Sequence, residues 1–189
     1  MPDGTARWAL RRATDAAHER LHGMAGFRDL AEGRITRAGY AALLRRLLGF
    51  HAPFEARLAE VPGLDALIDL GPRRRAALIR HDLAALGEPA GEERAAVLPP
   101  LGSAARALGC LYVTEGSTLG GQQLARALDG LLPPGEEGRR FLLGHGARHG
   151  AMWRDCCAAI EACGADPARR AEMVDGAVAT FEAFEAWCG

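Results

Sequence analysis

Residues 112–124 read Tyr-Val-Thr-Glu-Gly-Ser-Thr-Leu-Gly-Gly-Gln-Gln-Leu, a stretch of helical character on both flanks that nevertheless carries glycine at positions 116, 120 and 121. A glycine inside a helix costs about 1 kcal/mol relative to alanine, so these positions set roughly 3 kcal/mol against the helix. Something must offset that cost. Gly116 and Gly120 stand one helical turn apart and leave a face without side chains, where a second body can approach the backbone. The spacing alone allows either a small-residue helix crossing or a flat ligand. The adjacent pair Gly120-Gly121 favours the ligand, because it also lets the helix bend at that point.

Working outward, Ser103 is placed to cap this helix and Pro133-Pro134-Gly135 to break the chain after it. Upstream, Thr5 or Asp3 caps a first helix with Trp8, Leu10, Ala13, Ala17 and Leu21 at helical spacing, closed by Gly23 and followed by a short irregular link. Thr36 caps a second helix to about Glu60. Its inner face is predicted to hold Tyr40, Leu43, Leu44, Leu47, Phe50 or His51, Phe54 and Leu58, with a kink at Pro53. Pro72 opens a third helix through Leu86, ended by Gly87, and a Pro-rich loop around Pro99-Pro100 leads on to Ser103. Another helical stretch is predicted from about Glu136 to Cys163. Asp166-Pro167 then starts a last one, with Val174, Val178, Phe181, Phe184 and Trp187 as its apolar stripe. No segment alternates with period two and nothing repeats, so the expected architecture is all-α: a single-domain helical bundle spanning residues 1–189.

Composition narrows the function classes. The formal net charge is −1, so no global field draws the chain to nucleic acid or to an anionic membrane. No run approaches the 18 or so apolar residues of a membrane span, and the N-terminus lacks the basic and apolar regions of a signal peptide. The 5 cysteines, Cys110, Cys156, Cys157, Cys163 and Cys188, form no C-x-x-C pair, which suits a reducing compartment. A cytoplasmic protein is expected.

The first helix carries the second signal. Arg11, Thr14 and His18 fall on one face at i, i+3 and i+7, which sets an imidazole and a guanidinium about 10 Å apart along the axis at 1.5 Å per residue. Such a pair can hold a metal and an acid group of one ligand. The same helix spells His18-Glu19-Arg20-Leu21-His22, a zinc-binding pattern with Glu19 as base. Its metzincin continuation would need Gly and His where Ala25 and Arg28 stand, and no sheet is predicted to border the site. His22, His81, His145 and His149 read as surface or core-satisfied side chains, and so does His51.

Two motifs thus lie in order, Leu10-Arg-Arg-Ala-Thr-Asp-Ala-Ala-His18 and Tyr112-Val-Thr-Glu-Gly-Ser-Thr-Leu-Gly-Gly-Gln122. Together with Asp82-Leu-Ala-Ala-Leu-Gly87, Trp153 and Ala179-Thr-Phe-Glu-Ala-Phe184, the sequence resembles heme oxygenases, and most closely the bacterial branch found with bacteriophytochromes. The resemblance implies a heme sandwiched between the first helix and a kinked, glycine-rich distal helix. His18 matches the axial ligand to the iron, and Gly116, Gly120 and Gly121 match the distal glycines. Heme b would be both cofactor and substrate, opened at a meso carbon by O2 and electrons from an external donor, a reductase or ferredoxin. The products would be biliverdin, ferrous iron and carbon monoxide, with a bacteriophytochrome as an acceptor of biliverdin. A neutral His ligand suits this chemistry, since thiolate donation favours O–O cleavage.

Ser117 stands where many members of that family carry Asp, and serine brings one donor and no charge. By resemblance, Ser117 with Gly116 and Gly120 makes the distal pocket, with Ser117 holding ordered water. Arg11 matches a propionate-binding position. Asp15 replaces a second basic residue of some relatives, so Arg154 beside Trp153 is the candidate substitute; Tyr112 and Thr14 complete the wall. The alternative within this fold is a heme binder or carrier without turnover. A di-iron carboxylate protein would need repeated Glu-x-x-His pairs, which the sequence lacks. A thiaminase-like hydrolase would need a pocket cysteine, for which only Cys110 lies near the glycine helix.

Overall fold

The computed structural model describes residues 4–91 and 97–189, and every regular element among them is helical. Helix α1 (Ala6–Gly23) starts where Thr5 accepts the Trp8 amide at 3.3 Å; Asp3, the other candidate cap, lies outside the described residues. Glu161, from far along the chain, accepts the Ala6 and Arg7 amides at 2.9 and 3.1 Å and pins the same end.

The expected irregular link after α1 is instead a helix, α2 (Ala25–Ala31). Met24, extended at ψ 137°, breaks α1, and the chain then re-enters helix to bury Leu30. Seven residues are too few for a period to show. Helix α3 (Arg37–Leu58) is capped by Thr36 as predicted and runs on through Pro53 without a break. Its predicted inner face is buried throughout.

Pro72 does not open the third helix. It sits in a one-turn 3-10 helix (Gly71–Arg73), and α4 (Ala76–Ala85) begins later because the Glu55 carboxylate of α3 accepts the Arg75 and Ala76 amides at 2.8 and 2.9 Å. A tertiary cap, invisible to local sequence, sets this boundary. Gly87, at φ +70°, ends the element.

Ser103 caps α5 (Ala104–Gly116), and α6 (Thr118–Arg126) follows with Ser117 between them. The bend therefore falls at Ser117, whereas Gly120 and Gly121 lie inside a regular helix. The stretch from 136 also divides: α7 (Arg140–Leu143), a 3-10 turn (Gly146–Arg148) and α8 (His149–Cys163). Asp82 fixes the start of α7 by accepting the Arg140 and Phe141 amides, both at 2.8 Å, and Gly144, at φ +59°, ends it. Asp166 caps α9 (Pro167–Cys188) through Ala168 and Arg169, as Asp-Pro predicts.

Two core lobes share α3. One gathers Leu10, Phe50, Phe54, Leu108, Leu111, Ile160 and Ala177 from α1, α3, α5, α8 and α9. The other gathers Leu30, Leu44, Leu48, Ile79, Leu83, Ala125 and Phe141 from α2, α3, α4, α6 and α7. The chain crosses between lobes at Ser117. Helix α5 packs most extensively on α9, at a distance set by glycine. A methyl on Gly109 would run into the Met173 carbonyl, and one on Gly176 into the Arg106 carbonyl, so each helix admits the other's backbone.

Helix α1 is covered unevenly. Ala6, Leu10 and Thr14 are buried, but Ala13 is exposed and Ala17 and Leu21 only half-covered, against the expectation for its apolar stripe. No helix among the described residues is long and apolar enough to cross a membrane.

Candidate functional site

The site begins where the α5 ladder stops. Ser117 N still reaches Val113 O at 3.0 Å, but side chains meet the next carbonyls: the Ser117 hydroxyl donates to Thr114 O at 2.7 Å and the Thr118 hydroxyl to Glu115 O at 2.7 Å. Hydroxyls inserted into the ladder re-aim the helix. Beyond the bend Gly120 faces open space, with nothing within 4 Å of where a Cβ would sit. Gly116 faces only the rim of Trp153, at 3.6 Å. Among the described residues, no backbone of another helix lies within 4 Å of either position.

Gly121 differs. A methyl there would strike the Leu142 carbonyl, so its missing side chain serves the packing of α6 on α7. Packing alone thus accounts for glycine at 121, as it does not at 120: a helix turns 100° per residue, and the Cβ direction next to an open position faces the core. Leu119, 51% exposed, stands beside the bare face as one of the two exposed large apolar side chains among the described residues.

Toward α1 the structure gathers several expected residues. Tyr112 and Trp153 meet with ring centroids 5.8 Å apart. Burial raises the Tyr112 phenol pKa, while the nearby charges of Arg11 and Arg7 and the Thr14 side chain, all from α1, oppose the rise. Thr14 is buried and donates to Leu10 O at 2.9 Å. Arg154 is exposed and borders a surface depression of about 330 Å³ with Arg7, Trp153 and Cys157, at the same end. His18 lies further along α1 with its side chain 57% exposed, its ring edge-on to His22 at 4.6 Å and to Phe181 of α9 at 6.4 Å. No buried hydrogen bond occupies this imidazole.

Behind the bare face lies a buried polar layer that sequence reasoning missed. Glu115, which the motif alone leaves free to face either way, points inward to an ion pair with Arg73 and to His145 Nε2 at 3.2 Å. Arg73 also donates to Met152 O at 3.2 Å and to Asp69 O at 3.1 Å. Arg75 donates to Thr114 O at 3.1 Å, to the Ser117 hydroxyl at 3.0 Å and to Phe141 O at 3.1 Å. Ser117 is thus already engaged through its hydrogen and one lone pair. His51 is buried beside Glu55, and burial together with the Arg75 charge holds its pKa well below the usual imidazole value, so it is neutral. In the triplet Arg73-Arg74-Arg75 only Arg74 is exposed. The available signal was Glu115 itself, a carboxylate within an apolar helical run that requires a buried cation.

These features suit a flat, largely apolar ligand bearing acid groups. The backbone at Gly116 and Gly120 and the exposed Leu119 offer an apolar wall, His18 offers a free ring nitrogen, and the arginines of the Tyr112 end offer anion contacts. Comparison with known proteins points the same way. Residues 5–189 match the family model for heme oxygenase. A heme oxygenase of Xanthomonas campestris pv. campestris (strain 8004) is 38% identical over 157 residues, covering 82% of this chain and 92% of that protein. Among solved structures, the NO- and CO-bound heme oxygenase of Neisseria meningitidis aligns with a TM-score of 0.80 at 25% identity, over 98% of this chain and 90% of that one. Two further structures share the fold. The Leptospira interrogans heme oxygenase gives 0.76 at 17% identity over 97% and 98% of the two chains, and a heme-bound Synechocystis enzyme gives 0.73 at 18% over 94% and 88%. The chain belongs to the heme oxygenase family and is an enzyme that binds and degrades heme.

Proposed function

We propose that the whole chain forms one domain that opens heme at a meso carbon to biliverdin, ferrous iron and carbon monoxide, with O2 and electrons from an external reductase or ferredoxin. Heme, when bound, supplies both the iron that takes up dioxygen and the carbon that is oxidised. His18, exposed, resting on Phe181 and with only the exposed Glu19 carboxylate 3.9 Å from its Nδ1, would hold the heme iron. Arg11 holds a propionate at the Tyr112 end, with Arg154 at the rim and Tyr112 and Thr14 as the wall. Gly116 and Gly120 would offer bare backbone to the heme and leave room for a small diatomic. Ser117 keeps one lone pair, which can accept from an ordered water in a pocket that otherwise works by shape. A bacteriophytochrome fits as acceptor of the product.

The observation that carries this reading is the open face at Gly120, a helical glycine with no protein neighbour to explain it. The test is to titrate the purified protein with hemin, then supply ascorbate or a ferredoxin system under air with catalase present. Loss of the Soret band with growth of biliverdin absorption is expected, and His18→Ala should abolish the wild-type ligation spectrum. A stable 1:1 heme spectrum that never turns over would refute the biliverdin reading and leave a carrier.

A further inference from the structure

We propose that Arg75 is the positioning residue of the distal helix, a guanidinium wedged into the Ser117 kink that sets where the Gly116 and Gly120 backbone stands relative to bound heme. The proposal rests on the heme reading of the same site. It starts from what a bend requires. When a helical ladder stops inside a protein, its last carbonyls need new donors. At this kink the Ser117 and Thr118 hydroxyls already serve Thr114 O and Glu115 O. A Ser-bearing bend is complete at that point.

Arg75 adds a donor that local capping does not call for. It comes from 39 residues away, at the start of α4, and its NH1 reaches both Thr114 O and the Ser117 hydroxyl. Its NH2 reaches Phe141 O in α7, and the guanidinium stacks 4.0 Å over the Phe141 ring. The residue is 3% exposed, and taking a guanidinium out of water costs several kcal/mol unless its charge is met. Glu115 and Glu55 supply the opposing charge, so that burial lowers the pKa only to about 10 and the group stays charged at neutral pH.

The far end of the wedge is held as firmly. Arg75 N and Ala76 N both donate to Glu55 of α3, the helix that the two core lobes share. One residue at the start of α4 therefore connects α3, through its amide, with α5 and α7, through its guanidinium, at the place where the glycine helix passes between lobes. Arg75 is buried, with its guanidinium bonded to the Thr114 and Phe141 carbonyls and the Ser117 hydroxyl, so on this reading it acts on the reaction only through where it holds Thr114 and Ser117. Lysine could keep the charge but not the fork that reaches three acceptors.

The experiment compares wild type with Arg75→Lys, Arg75→Met and Ser117→Ala in the full chain. It records hemin titration, KM and kcat for heme loss, and the infrared stretching band of carbon monoxide on the reduced heme complex. With His18 untouched, the Arg75 variants are expected to bind hemin with a wild-type Soret band and similar KM. Their CO band should shift or broaden, and kcat should fall by about tenfold or more, since a misplacement on the order of 1 Å can cost 10²-fold. Ser117→Ala, which removes one tie and leaves the guanidinium, should fall between. If Arg75→Met does not fold, Arg75→Lys carries the test. Variants that melt earlier but keep the wild-type CO band and kcat would show that the guanidinium only stabilises the fold, and would overturn the proposal. Variants that weaken hemin binding while kcat at saturation is unchanged would overturn it as well. Failure of the wild-type chain to bind hemin would instead sink the heme reading, and that titration is run first.

Discussion

Two pairs of glycines in this bundle look alike in sequence and do opposite things. Gly109 and Gly176 are filled positions: each receives the backbone of the neighbouring helix, and the α5–α9 packing depends on their having no side chain. Gly116 and Gly120 are open positions on the continuation of the same helix, where a side chain would meet one tryptophan rim or nothing at all. In the first pair, packing offsets the helix penalty of glycine. In the second no neighbouring backbone among the described residues offsets it, which fits a face kept open for a ligand. Gly121, next to an open position, belongs energetically with the filled ones.

The contrast is sharpest under methyl addition. Gly109→Ala or Gly176→Ala should destabilise the protein by about 3 kcal/mol or more, the upper range for overpacking, because the atoms struck are backbone carbonyls that have no rotamer to escape into. Denaturant unfolding of the apoprotein checks this, and near-wild-type stability would erase the distinction. Gly121→Ala should cost less, about 2 kcal/mol, since its contact is with the four-residue α7, which can shift. Gly120→Ala should leave apoprotein stability unchanged or raise it by about 1 kcal/mol, the helix-propensity gain. Its effect should appear in hemin affinity, and a bulkier Gly120→Leu should lower that affinity further.

A pH-dependent effect concerns the frame behind Gly121. Asp82 holds the first amides of α7, and burial pushes its carboxyl up to about 6 despite those two hydrogen bonds. A carboxyl whose pKa is higher in the folded state than the unfolded value of 3.8 favours folding in its protonated form, so its contribution is present at pH 4 and is lost as pH rises through 6. Relative to Asp82→Asn, the wild type should lose stability across that window, by at most about 1.4 kcal/mol per pH unit. A flat difference between the two proteins from pH 4 to 6 would show that the amides, not burial, govern this carboxyl.

Much of the fold was legible because it is periodic and locally capped. Tyr40, Leu43, Leu44, Leu47, Phe50, Phe54 and Leu58 keep one face through 22 residues, and all are buried. Thr5, Thr36, Ser103 and Asp166 cap where side-chain chemistry says they should. What escaped was set by distant partners: the start of α4 by Glu55, the start of α7 by Asp82, and the inward turn of Arg73 and Arg75 by Glu115 and the freed carbonyls of the kink. The candidate site divides in the same way. A bare glycine face and the Arg11–His18 face of α1 follow from spacing. The separate duty of Gly121 and the engagement of the Ser117 hydroxyl depend on α7 and α4, which no local pattern brings near.

Helix α1 has a mechanical consequence. Its first half is fastened, with the Ala6 and Arg7 amides on Glu161 and with Leu10 and Thr14 buried, but no residue from Asp15 to Gly23 is fully buried. His18 therefore rides on the outer arm of a lever whose fulcrum is in the core, an arm held at the surface where Arg20 donates to Glu185 of α9 at 2.9 and 3.0 Å. Such an arm can swing to admit a wide, rigid guest without melting either lobe. Amide hydrogens of residues 15–23 should exchange ahead of those of 6–14 in the empty protein, and a guest clasped at His18 should slow the outer set alone. The guest would then act as a keystone, turning a loose arm into a wall.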